Sequence, residues 1–238
     1  MIIVGAGPTG LILGLLLAKQ GIHVDILDAS ATLDKQPRAA HYASPAAFEL
    51  DRAGVLDHVT ARGINHKKMA WRKINTETVA TMRLDRMPED RKRHSLVVLP
   101  LGQLGEILYG HLKRQPTVSV RWSHRVVKVG QDGDKAWVDV ETGNGKKRFE
   151  GDYVLGCDGA SSTVRRELFG PEYPGETLNV QLVATNVRFP PHSIIITKLT
   201  HQRSITILTA TTTLTQTSSS TPRTSTWPLA SPQTASTA

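Results

Sequence analysis

The chain opens with a short apolar run, IIV, then a glycine-rich turn, GAGPTG, a long apolar run, LILGLLLA, and a second short run, VDILD, that ends on an acid. Runs of three to five apolar residues on either side of a longer one, punctuated by glycine, predict strand, turn, buried helix and strand. The stretch SATLDKQPRAAHYA reads as a loop. After it Ala47, Phe48, Leu50, Ala53 and Val55 fall at near-helical spacing, and Gly54 stops that helix. Residues 66–99 carry KMAWRKI, TVATMRL and SLVVLP, short alternating or apolar runs expected to be strands of a second sheet inserted into the first domain. LGQLGEILYGHLKRQ (101–115) predicts an amphipathic helix with Leu104, Ile107, Leu108 and Leu112 on one face. Four strand-like runs follow, TVSVRW, RVVKVGQD, KAWVDVET and RFEGDYVLGCD. Asp132-Gly133 marks one hairpin turn and ETGNGKK the next.

This order predicts an α/β fold whose first unit carries the Rossmann-like dinucleotide fingerprint in its required context. Gly5 permits the tight turn, Gly7 lets backbone N–H groups approach a pyrophosphate, and Gly10 lets the helix lie close to the sheet. Asp28 ends the second strand 18 residues past Gly10, where a carboxylate can accept hydrogen bonds from ribose hydroxyls. That favours a free 2′-hydroxyl, and so FAD or NAD, over a 2′-phosphate. Arg38 lies in the loop that follows, as a surface ion-pair partner or as an anion clamp opposite the pyrophosphate. Downstream, VLGCDGASSTVRRELFG stops an apolar strand at Asp158-Gly159, beside the chain's one cysteine, Cys157. Taken alone, such a pair is a turn.

Together these residues resemble a known family, the FAD-dependent aromatic-ring hydroxylases, the group of para-hydroxybenzoate hydroxylase and phenol 2-monooxygenase. The family signature is a glycine fingerprint, an Arg-Ala pair after the second strand, and Asp-Gly-x-x-Ser-x-hydrophobic-Arg. The chain has Gly5/Gly7/Gly10, Arg38-Ala39, and Asp158-Gly159 with Ser162, Val164 and Arg165, and the resemblance covers roughly residues 1–188. It implies a glutathione-reductase-type FAD/NAD(P)-binding domain over 1–188, discontinuous, with residues 64–99 giving strands to a substrate-domain sheet. It also implies FAD as cofactor, NADPH or NADH as reductant, and hydroxylation of an aromatic, phenol-like or polyketide-type substrate by O2 through a flavin C4a-hydroperoxide. Asp158 would then fix loop and ligand, Gly159 would bring backbone near the cofactor, and Arg165 would support the loop or meet phosphate. His41 and Tyr42 would face the flavin or sit as an exposed loop pair. The cofactor carries the hard chemistry, so no nucleophile or metal-ligand set is required.

Composition adjusts this picture at the carboxyl end. The 238 residues, 39% hydrophobic and 21% charged, suit a soluble protein of one sizeable domain or two small ones. A single cysteine excludes an internal disulfide and favours a reducing, cytoplasmic home, with Cys157 packed as a small apolar residue. LILGLLLA has no basic leader and is too short to span a bilayer. Of the +8 net charge, residues 177–238 contribute four Lys/Arg and no acid, leaving 25 Lys/Arg against 21 Asp/Glu before them. RKRH (91–94) and KKR (146–148) read as solvated loops without interleaved aromatics, which argues against a nucleic-acid partner. The family's second cofactor motif, of the form Gly-Asp-Ala-Ala-His, is missing; Gly175 is the last glycine, and 21 of the 42 residues from Thr197 to Ala238 are Ser or Thr. Residues 189–238 are therefore expected to be a disordered tail or out-of-frame sequence, and the chain a fragment. Three readings stay open: an FAD-dependent monooxygenase, a non-catalytic FAD-binding remnant, and a basic nucleic-acid binder whose affinity would fall steeply with salt.

Overall fold

A computed structural model describes residues 1–34, 41–73, 77–172, 174–175, 183–185 and 207–209. Strand β1 (Ile2–Val4) leads into helix α1 (Pro8–Ala18) and strand β2 (Val24–Leu27). Then come β3 (His41–Tyr42), α2 (Ser44–Arg52), α3 (Leu56–Arg62), β4 (Ile64–Asn65), β5 (Lys68–Arg72), β6 (Thr78–Arg83), α4 (Glu89–Lys92) and β7 (Val97–Val98). The rest is α5 (Leu101–Leu112), β8 (Val118–Arg121), β9 (Arg125–Gln131), β10 (Ala136–Thr142), β11 (Gly145–Gly151), β12 (Val154–Gly156), α6 (Thr163–Phe169), β13 (Val183–Thr185) and β14 (Ile207–Thr209).

The central sheet is parallel, in the order β12-β1-β2-β8. Alternation along its strands sends side chains to two cores. Ile3 and Ile26 face α1, α2, α3 and α5, packing with Leu11, Leu15, Leu104 and Leu108. Ile2, Val4 and Leu27 face the antiparallel meander β9-β10-β11, packing with Val126, Val138 and Val140. Burial on both faces explains why β1 and β2 read as apolar runs rather than alternating ones. Their ends are what the two layers present to a ligand.

Several predicted elements divide or move. RFEGDYVLGCD is two strands in two sheets: β11 closes the meander, the chain turns at Asp152 and Tyr153, and β12 enters the central sheet beside β1. Residues 64–99 divide between two separate small sheets, β3-β7-β4, whose edge strand β3 comes from residues 41–42, and the ribbon β5-β6. The first joins the main core through Val97, while the ribbon stands out with Trp71, Val79 and Met82 exposed. Phe48, expected on the buried face of α2, is 50% exposed and meets the edge of the His94 ring instead. The basic clusters are laced to acids: Arg93 bonds Asp51 through two nitrogens and also meets Asp57, Lys92 meets Glu89, and Arg148 holds Asp139. Apart from β14, positions 189–238 lie outside the described residues, so the expectation for the tail is not addressed by the structure.

Candidate functional site

At the carboxyl ends of β1 and β2 lies a cleft of about 500 Å³, and it gathers most of the predicted residues. The chain leaves β1 in one direction for β2, and β12 returns on the other side, so this crevice is the switch point where open α/β sheets take their ligands. Its size is ordinary for a small-molecule site.

The glycine loop is built by exclusion. Gly5 sits at φ +104, and a Cβ there would lie 2.4 Å from the Cys157 carbonyl oxygen. A Cβ at Gly10 would lie 2.0 Å from the Gly5 carbonyl oxygen. The loop is thus pressed between β12 and α1 with room for no side chain. Gly7 differs, since a Cβ there would touch nothing within 4 Å, because the residue borders the open cleft. Gly7 is the N-cap of α1, no side chain caps that helix, Pro8 begins it, and its first turn holds no acid. The helix therefore offers the cleft backbone N–H groups and the positive end of its dipole, which is the chemistry an anionic diphosphate requires. The empty space before Gly7 and the uncapped helix fit the pyrophosphate of a dinucleotide such as FAD.

Asp28 is placed at the cleft wall as expected, with an added duty. Its Oδ2 accepts the Ala6 N–H at 2.7 Å and its Oδ1 the Ser30 N–H at 2.8 Å. It therefore ties the glycine loop to the end of β2, and each oxygen retains a lone pair for a ribose hydroxyl.

Asp158 also holds backbone. Its Oδ1 accepts the Ser162 hydroxyl at 2.5 Å, and its Oδ2 accepts the N–H groups of Thr163 at 2.6 Å and Val164 at 3.2 Å. Ser162, buried, accepts the Arg165 N–H at 3.0 Å as the N-cap of α6. Together they satisfy donors that the first turn of α6 would leave orphaned. Gly159, at φ +81, turns the chain between β12 and this cap and lines the cleft. Cys157 is half-buried: its N–H donates to the Val4 carbonyl at 2.7 Å, and burial together with the Asp158 carboxylate pushes its thiol above the ordinary value. The thiol is thereby kept protonated and unreactive.

Two expectations are not placed here. Arg38 lies outside the described residues. His41 and Tyr42 do not line the cleft, as they form β3, paired with Val98 and Val97. The Tyr42 hydroxyl is buried without a hydrogen-bond partner among the described residues, and burial pushes its pKa up to about 12. What sequence reasoning missed is the far wall, Trp122, His124 and Arg125. These residues have no local signature, and only the pairing of β8 with β2 brings them beside Asp28. Among the described residues no group of three or more His, Cys, Asp or Glu could hold a metal ion, and no helix is long and apolar enough to cross a membrane.

Comparison with known proteins agrees with this geometry. The FAD binding domain family matches residues 1–233. Para-nitrophenol 4-monooxygenase of Pseudomonas sp. strain WBC-3 is 34% identical over 187 residues, 79% of this chain and 46% of that protein. The 6-hydroxy-3-succinoylpyridine 3-monooxygenase of Pseudomonas putida is 38% identical over 191 residues, 79% of this chain and 48% of the relative. The crystal structure of p-nitrophenol 4-monooxygenase from Pseudomonas putida superposes with a TM-score of 0.68 at 32% identity, over 71% of this chain and 42% of the other. A ternary complex of aklavinone-11 hydroxylase with FAD and aklavinone shares the fold, with a TM-score of 0.60 at 24% identity over 70% of this chain and 34% of that one. The chain spans about half the length of the curated relatives it matches.

Proposed function

The chain belongs to the FAD binding domain family, and on that premise we propose that it carries the adenosine–diphosphate half of the FAD site of an aromatic-ring monooxygenase. NADPH or NADH is its reductant, and O2 and a small phenol-like molecule are its substrates. The observation that carries this reading is the cleft before the uncapped end of α1, bordered by Gly7 and tied to Asp28. The first two relatives are named for oxidising a nitrophenol and a hydroxypyridine, which supports a hydroxylated aromatic ring as the substrate class.

When bound, FAD supplies the redox chemistry of such a reaction. The residues of this chain bind and orient it. The first-turn N–H groups of α1 receive the diphosphate, the remaining lone pairs of Asp28 receive ribose hydroxyls, and Gly5 and Gly10 hold the loop close enough for both. Asp158 and Gly159 shape the neighbouring wall from β12, and Arg38 is assigned the role of cationic partner to the diphosphate. The domain runs over residues 1–188, with residues 64–99 contributing to a substrate-binding part and 189–238 lying outside it. Its proposed location is the cytoplasm.

A second reading is an inactive FAD-binding remnant of the same family. The visible spectrum of the purified chain with FAD, then with NADPH, separates the two. Bound flavin that bleaches anaerobically with NADPH, and yields hydroxylated product from p-nitrophenol or a related phenol in air, supports the monooxygenase. Bound flavin that NADPH leaves oxidised supports the remnant. Failure to take up FAD overturns both.

A further inference from the structure

The wall facing the glycine loop is made by an unusual turn. Ser123 has φ 56, a left-handed conformation that no other non-glycine residue adopts among the described residues. Such a conformation persists only where surrounding contacts enforce it. Two backbone hydrogen bonds do so here: the Ser123 N–H donates to the Ser30 carbonyl at 2.8 Å, and the His124 N–H donates to the Asp28 carbonyl at 2.8 Å. The turn is thus clamped onto the residues that end β2. Trp122 before it is held by its indole N–H donating to the Tyr109 hydroxyl at 3.3 Å, and the His124 ring stands edge-on to Phe149 at 5.7 Å.

The His124 ring is fixed in one tautomer. Its Nδ1 lies 2.7 Å from the Trp122 carbonyl oxygen, which can only accept, so Nδ1 carries the hydrogen. The neutral imidazole then has its lone pair on Nε2. His124 lines the cleft beside Asp28. A dinucleotide laid along the cleft runs from diphosphate at α1 to ribose at Asp28, and the next unit beyond the ribose is the base.

We propose that His124 reads that base, its Nε2 accepting a hydrogen bond from the 6-amino group of adenine. This selects a 6-aminopurine over a 6-oxopurine, whose carbonyl would oppose the lone pair. The role rests on the dinucleotide reading of the cleft and adds to it a residue that sets which dinucleotide is accepted.

The test is calorimetric titration of the full chain with ADP and with IDP, with FAD as a parallel titrant. The expected result is ADP binding about tenfold more tightly than IDP. His124→Asn retains a donor for the Trp122 carbonyl and has no acceptor at the Nε2 position, so ADP should weaken while IDP, freed of the opposing lone pair, tightens or holds, and the ratio should fall to near one. His124→Gln, whose amide oxygen reaches that position, should retain the preference. A wild-type ratio near one, or equal weakening of both nucleotides in His124→Asn, overturns the base-reading role. FAD binding together with a ratio near one removes only this inference, and failure of ADP and FAD alike removes the nucleotide reading and the role of His124 with it.

Discussion

Two glycines two residues apart in the same loop should respond to the same methyl group in opposite ways. Gly7→Ala adds a Cβ that meets nothing within 4 Å, at φ −71 and ψ 178, a conformation any residue adopts. Its fold stability should therefore stay within about 0.5 kcal/mol of wild type. Gly5→Ala instead places a Cβ at φ +104, at about 1–2 kcal/mol for the left-handed backbone, and 2.4 Å from the Cys157 carbonyl oxygen. Relieving that overlap means forcing β12 from β1 at about 1–3 kcal/mol. The sum, about 2–5 kcal/mol, lowers the melting temperature by roughly 4–20 °C at about 2–4 °C per kcal/mol for a domain of this size. For the ligand the order reverses. A methyl at Gly7 stands where a phosphate oxygen must approach the α1 N–H groups, and losing one or two charged hydrogen bonds at about 1.5–3 kcal/mol each weakens FAD by about ten- to a thousandfold or more. Thermal melting and equilibrium dialysis with FAD measure the two effects separately. A Gly7→Ala protein that melts like Gly5→Ala, or that binds FAD like wild type, would refute the assignment of Gly7 to the ligand and Gly5 to the fold.

Other perturbations follow from the same geometry. Asp28→Asn leaves one acceptor oxygen for the two N–H groups of Ala6 and Ser30, so urea denaturation should show a loss of about 1–3 kcal/mol and dialysis a loss of FAD affinity. Asp158→Ala removes three acceptor contacts at the start of α6, and at about 0.5–2 kcal/mol for a lost cap it should lower stability and speed amide exchange in residues 163–166. The His58 Nδ1 and His111 Nε2 atoms are 2.8 Å apart between α3 and α5, and burial with Arg114, His58 and Lys19 nearby depresses the His111 pKa. The unfolded chain therefore binds the His111 proton first on acidification. Stability should be full above about pH 6.5, the unfolded value, and should fall with pH down to the depressed folded value. The urea midpoint measured from pH 8 to 5 should show this decline, and His111→Gln should flatten it.

The local signals in the sequence carried the first unit well. Alternating blocks of apolar residue and glycine predict β1, α1 and β2, and the spacing of Leu104, Ile107, Leu108 and Leu112 predicts α5, all four buried. Strands β3, β4 and β7 are two residues each, too short for any period to show. The split of RFEGDYVLGCD was hidden because its Gly151 and Asp152 look like an interruption in one strand, while the change of sheet depends on β1. Helix α6 is seven residues and largely polar, yet its cap could have been read, since Ser162 before Thr163 and Val164 is an N-terminal signal. The far wall could not. Trp122 and His124 are nearly a hundred residues from Asp28, and the strand pairing that unites them has no mark in either segment.

The division of labour between the two acids bears on why the cleft takes an anion where it does. Two helices, α1 and α6, begin just past the carboxyl ends of adjacent strands, β1 and β12, so two positive helix ends converge on one crevice. At α6 the Asp158 carboxylate and Ser162 hydroxyl consume the first-turn donors and offset the dipole with a full negative charge. At α1 no side chain does so. Asp28 bonds the Ala6 N–H, upstream of the helix, and leaves the N–H groups of its first turn facing the cleft. Asp158, which the family resemblance marks as fixing loop and ligand, thus holds its loop by satisfying and neutralising the competing helix end. One anion position remains, in front of Gly7, and a diphosphate placed there lies beside the ribose acceptor at Asp28 rather than against the Asp158 charge.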